Sequence, residues 1–119
     1  MLIRRLIMSV KETDTIDAMG IDESTNTLSL LITDPYPWLI QEYDHLKTMQ
    51  EKINHYVAYL ENKGYTKEYG SRTFDHFHIE AALKYAPTDA GKSFFEAGRQ
   101  QLKQRGIRFA YTVIPRKEG

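Results

Sequence analysis

Two histidines and a glutamate alternate in the segment FDHFHIEAALKYAP, at positions 76, 78 and 80. Residues two apart on a β-strand point to the same side about 6.5–7 Å apart, so His76 and His78 could share one zinc ion. Glu80 would lie about 13 Å from His76, too far to complete that site. A zinc site therefore needs a third ligand from a neighbouring element. We favour a second interpretation, in which these three residues form the polar side of a half-buried strand. In a third, the two histidines lie at an interface and make association depend on pH.

Other catalytic chemistry has little support in the sequence. The chain contains no cysteine, which excludes disulfides, thiolate ligands and cysteine nucleophiles and is compatible with a reducing, cytoplasmic location. No serine lies in a G-x-S-x-G motif, and Gly91-Lys92-Ser93 lacks the first glycine of a P-loop. We therefore expect no catalytic residue of these kinds and no cofactor.

Aromatic residues provide a second candidate site, for binding a protein partner. Tyr36 and Trp38 lie in the segment DPYPWLIQEY, whereas Tyr65 and Tyr69 follow the first predicted helix. Tryptophan and tyrosine are enriched in binding hot spots because they offer rigid contact area with a polar tip. The alternative is that these side chains complete the hydrophobic core.

Length and charge restrict the class of protein further. A chain of 119 residues fits one domain. We expect residues 1–7 to form either a short strand or helical turn or, the interpretation that we favour, an N-terminal extension before a start at Met8. Lysine plus arginine and aspartate plus glutamate both number 16, so there is no basic excess of the kind that nucleic-acid binding usually requires. No apolar run approaches the roughly 20 residues of a membrane span.

Hydrophobic periodicity predicts the order ββαβαβ. Strands are expected at 15–21 and 27–33, joined by the turn segment DESTN, and again at 74–85 and 108–114. Apolar residues at three- and four-residue steps predict a helix over 39–62, and Thr88 is a candidate N-cap for a second helix that ends near Arg105. Lys52 is expected on the polar surface of the first helix.

These elements predict an α+β two-layer sandwich. Each strand–helix–strand unit implies a parallel strand pair, so the simplest arrangement is a four-stranded mixed sheet with both helices on one face. The other face would be open and partly apolar. We expect four residues on it: Met19, Leu31, Ala82 and Ala110.

Several segments resemble a family of small bacterial proteins known only as a domain of unknown function. They are DTIDAMGID, LSLLITD, LKTMQEKINHYVAYLENKGY and ALKYAPTDAGKSFFEAGRQQLKQRGI, and the most distinctive part is 49–54. The resemblance extends over most of the chain from Met8. It implies a compact α/β cytoplasmic protein and carries over no catalytic or binding residue.

These observations favour a non-enzymatic interaction or regulatory protein that forms a homodimer or binds a protein partner. The open sheet face or an edge strand would supply the contact surface, because apolar patches on open faces tend to be occupied. The alternative function is a metal-dependent or acid–base enzyme that uses His76 and His78.

Overall fold

Four strands form one mixed sheet in the computed structural model, which describes residues 9–115. In chain order and in spatial order they are β1 (Ala18–Asp22), β2 (Thr27–Asp34), β3 (His76–Leu83) and β4 (Ile107–Val113). The β1–β2 pair is antiparallel, whereas β2–β3 and β3–β4 are parallel. The predicted ββαβαβ order and the mixed sheet are thereby confirmed. The predicted extension at 1–7 lies outside the described residues.

Three helices connect or follow these strands: α1 (Glu42–Glu61), α2 (Thr66–Tyr69) and α3 (Asp89–Gln104). The hydroxyl of Thr88 accepts a hydrogen bond from the Gly91 N–H at 3.1 Å, which confirms the predicted N-cap of α3. The sequence predicted no regular structure at α2, because one turn is too short to show a period. Within residues 9–115, no helix is long and apolar enough to cross a bilayer.

The hydrophobic core lies between the long helices and one face of the sheet. Side chains from β2, β3 and β4 form aligned rows on that face, such as Leu30, Ile79 and Phe109. Buried residues of α1 and α3 belong to the same cluster. The predicted alternation of β3 is confirmed, since Ile79, Ala81 and Leu83 are buried and His76, His78 and Glu80 alternate with them.

The structure corrects two predictions of side-chain position. Met19 pairs with Leu30 and packs against the core, so it faces the helices and not the open face. Lys52 is fully buried, although its charge predicted a surface position. Leu31 and Ala110 lie on the open face as expected, because both align with Glu80.

Candidate functional site

A buried polar pair lies at the carboxyl end of β2, where ligands bind in many α/β sheets. Asp34 ends the strand, and its carboxylate Oδ2 lies 2.5 Å from Nε2 of His45 in the first turn of α1. Both side chains are almost inaccessible to solvent. The indole ring of Trp38 stacks on the His45 imidazole, with centroids 3.7 Å apart and planes 9° from parallel. The pair thereby fixes the segment between β2 and α1.

Both ring nitrogens of His45 are engaged in hydrogen bonds. Nδ1 lies 3.2 Å from the carbonyl oxygen of Pro37, which can only accept, so Nδ1 carries a proton. A second proton must lie between Nε2 and the Asp34 carboxylate. The pair is therefore either imidazolium and carboxylate or imidazole and carboxylic acid. In both forms no ring nitrogen remains open to a substrate or a metal, so His45 positions the segment.

Next to this pair, large apolar side chains are exposed to solvent. Leu39 is 85% exposed, Ile40 70% and Tyr43 75%. One of them, Ile40, lines a cavity of about 150 Å³ together with Tyr36, Pro37 and His45. We call these three exposed side chains and the adjoining cavity the Leu39 surface. Apolar groups gathered in this way on a surface are typical of an interaction site.

Gln41, within the Leu39 surface, has a strained backbone. Its φ of 58° and ψ of 45° place it in the left-handed region just before α1. For a residue with a side chain this conformation costs about 1–2 kcal/mol. Its side chain makes no capping hydrogen bond that would compensate within the helix terminus. Surrounding contacts must hold the segment in place, and strain of this kind is often found at binding sites.

A second buried network supports the same region. The ammonium group of Lys52 donates to the carbonyl oxygens of Glu12 and Thr15 at 2.5 and 2.7 Å and to the Asp17 carboxylate at 2.7 Å. Its three protons are thus all satisfied. These bonds tie the segment before β1 to α1, and Val10 of that segment lines the cavity.

Comparison with known proteins places the chain in a family. Residues 8–115 match a family of unknown function, DUF6572. The chain belongs to this family. No curated protein matches the chain, and no solved structure matches it. The DUF6572 match spans all the elements described above, and it agrees with the resemblance of the sequence to an uncharacterised family.

The open sheet face of this DUF6572 member carries the predicted zinc residues. His78 Nε2 lies 2.9 Å from Glu80 Oε1, whereas His76 is exposed at the start of β3. Nδ1 of His78 and Oε2 of Glu80 are shielded from solvent and have no hydrogen-bond partner within residues 9–115. Nowhere in that range do three His, Asp or Glu side chains converge as a metal site would require. The zinc site at His76 and His78 therefore stays a prediction.

The predicted partner-binding aromatics lie in different environments. Trp38 and Tyr65 are only 2% and 6% exposed, so these two belong to the core and offer almost no surface to a partner. Tyr69 is half-buried against Phe74. Tyr36 is also half-buried, but it lines the cavity of the Leu39 surface.

Sequence reasoning missed the Asp34–His45 and Asp17–Lys52 pairs. The sequence did indicate that Asp34 is buried, because every second residue of β2 faces the core. These residues are Leu28, Leu30, Ile32 and Asp34. A carboxylate in the buried phase of a strand needs a polar partner. The signal does not say which residue the partner is, since His45 is eleven positions away on another element.

Proposed function

We propose that this member of the DUF6572 family is a non-enzymatic interaction protein that forms a homodimer through the Leu39 surface. The exposure of Leu39, Ile40 and Tyr43 is the observation that supports this function most directly. Apolar side chains exposed together cost free energy in water and recover it when a partner covers them.

The shape of the surface favours a second copy as the partner. Leu39 is exposed, and its neighbour in the chain, Ile40, lines a cavity together with Tyr36 and Pro37. In a twofold dimer each copy presents the same patch, so the protrusion of one protomer can enter the cavity of the other. A patch that contains both protrusion and cavity is therefore suited to pairing with itself.

The polar groups nearby support binding more than catalysis. Both His45 ring nitrogens are engaged in hydrogen bonds. Of the two Asp34 carboxylate oxygens, Oδ2 contacts His45 and Oδ1 accepts from the Tyr36 N–H at 3.1 Å. Groups held in this way keep a fixed geometry, which lowers the entropic cost of association. Their role here is to keep the Leu39 surface ordered.

Light scattering after size-exclusion chromatography tests the proposal. We expect a mass of twice 13.9 kDa at high concentration that falls towards 13.9 kDa on dilution. Leu39→Asp should weaken the dimer about thirtyfold or more, as the loss of a central apolar anchor does. Ile114→Asp is the matched control, because Ile114 is also exposed, at 51%, but lies after β4.

Two outcomes would contradict this function. A monomer at every concentration would remove the homodimer, and a dimer that Leu39→Asp leaves intact would move the interface elsewhere. The same samples with zinc and then with chelator test the alternative function. A mass that shifts with zinc, returns with chelator and is insensitive to zinc in His78→Ala would support the predicted metal role of the open face.

A further inference from the structure

Strand β4 forms one edge of the sheet. It pairs with β3 on one side and with no described strand on the other. The Ile114 N–H donates to the Leu83 carbonyl, so the even-numbered residues of β4 direct their backbone groups towards β3. The odd-numbered residues then direct theirs outward, and they are Ile107, Phe109, Tyr111 and Val113. Unpaired backbone groups at a sheet edge form a template for another strand.

A groove of about 480 Å³ follows this edge. Arg99 and Lys103 line it from α3, and Arg108 lines it from β4. Within residues 9–115, no carboxylate contributes to the lining. Arg99 is bound to Glu96 of its own helix, whereas Lys103 and Arg108 have no ion-pair partner within residues 9–115. Among the described residues, the lining of the groove therefore carries positive charge beside the outer edge of β4.

We infer that the β4 edge binds an extended acidic segment of a partner protein, which joins the sheet as a fifth strand. In this binding mode main-chain hydrogen bonds supply affinity, and alternate side chains supply specificity. Side chains of the added strand that point to the helix layer would meet Arg99 and Lys103, and those that point to the open face would meet Arg108. Carboxylates at both kinds of position would be matched by cations.

A second copy of β4 suits this groove less well. Two grooves brought edge to edge would bring Lys103 and Arg108 of each copy together, and no carboxylate of residues 9–115 contributes to either lining. Like charges across an interface oppose association. An acidic partner instead neutralises them. This inference uses residues outside the Leu39 surface and does not depend on the proposed dimer.

Fluorescence anisotropy with the full-length protein tests the inference. The probe is a labelled peptide of about eight residues in which pairs of glutamates alternate with pairs of valines, so that carboxylates lie on both faces of the added strand. We expect it to bind, and we expect Lys103→Glu and Arg108→Glu each to weaken binding about tenfold. Lys92→Glu is the control, since Lys92 is exposed on α3 and does not line the groove. Leu39→Asp should leave peptide affinity unchanged.

A second pair of measurements separates strand addition from simple charge attraction. The same peptide methylated on alternate backbone nitrogens keeps its charge but cannot form the ladder, so it should not bind. Hydrogen exchange should show new protection at the outward amides of Ile107, Phe109, Tyr111 and Val113 when the unmodified peptide is added. Equal binding of the methylated peptide, equal binding of a valine–lysine peptide, or no binding up to millimolar concentration would overturn the inference. The inference would also be overturned if these amides became protected when the protein is concentrated without the peptide.

Discussion

The ammonium group of Lys52 lies 2.7 Å from the carboxylate of Asp17, and neither side chain is more than 2% exposed. The other Asp17 oxygen accepts from the Thr33 N–H at 2.9 Å. A residue of α1 thus holds the chain before β1 against β2 through one buried carboxylate. Because Val10 in that chain segment lines the cavity, the ion pair also supports the Leu39 surface.

Replacing Lys52 by methionine should destabilise the protein by about 3–5 kcal/mol. The substitution keeps an apolar side chain of similar length but leaves the Asp17 carboxylate buried without its cation. Urea unfolding followed by circular dichroism measures the free energy of unfolding. Lys47→Met is the matched control on the exposed surface of α1 and should change stability by less than about 0.5 kcal/mol.

The double variant Lys52→Met with Asp17→Asn tests whether the effect comes from the pair. If the buried unpaired charge causes the loss, removing both charges should cost less than the sum of the two single substitutions. Additive losses would show that the two groups act independently.

The hydroxyl of Tyr56 links the segment before β1 to strand β2 and should control stability at alkaline pH. It accepts from the Asp17 N–H at 2.8 Å and donates to the Leu31 carbonyl at 2.5 Å. Burial raises the pKa of Tyr56 above the ordinary value of 10.0. The unfolded chain therefore loses this proton at lower pH than the folded chain, so the contribution is complete below pH 10 and is lost as the pH rises further.

Tyr56→Phe should lower the free energy of unfolding at neutral pH by about 1–3 kcal/mol, because two buried backbone groups lose a partner. Above about pH 10, the variant should lose less stability than the wild-type protein as the pH rises. Urea titrations at several pH values measure both effects. Tyr43→Phe is the control, since Tyr43 is 75% exposed. A wild-type profile that Tyr56→Phe leaves unchanged above pH 10 would contradict the assignment.

Replacing His45 by leucine should destabilise the protein and alter tryptophan fluorescence. The Asp34 carboxylate would remain buried without its strongest partner, which should cost about 3–5 kcal/mol. Trp38 is the only tryptophan in the sequence, so its emission reports on the stacked imidazole. Loss of that contact should raise the emission intensity of the folded protein. His55→Leu, on the same helix, should leave emission unchanged.

Alanine at Gly91 should destabilise the junction between α3 and Trp38. An added Cβ would lie 2.9 Å from Cβ of Pro87 and 3.3 Å from Cε3 of Trp38. Overpacking of this kind costs about 1–3 kcal/mol, which exceeds the gain in helix propensity of roughly 1 kcal/mol. Thermal unfolding compares this variant with Gly20→Ala, whose Cβ would have no neighbour within 4 Å. Equal melting temperatures would show that the helix can shift to accommodate the methyl group.

The sequence by itself determined the elements whose causes are local. Alternation along β3 predicted that Ile79 is buried and His78 is not, because neighbouring side chains on a strand point to opposite faces. The N-cap at Thr88 also depends on groups only three residues apart. Strand order was left open, since local periodicity does not specify which strands become neighbours.

Only the tertiary structure decided the positions of the buried polar residues and of the exposed apolar ones. Charge predicted that Lys52 is exposed, but its partners lie 35 to 40 positions away on a segment that α1 covers after folding. Helical periodicity likewise placed Leu39 inside α1, whereas the helix begins at Glu42 and Leu39 is 85% exposed. The cause in both cases is long-range packing: whether a side chain is buried depends on which distant segment covers it, and local sequence does not contain that information.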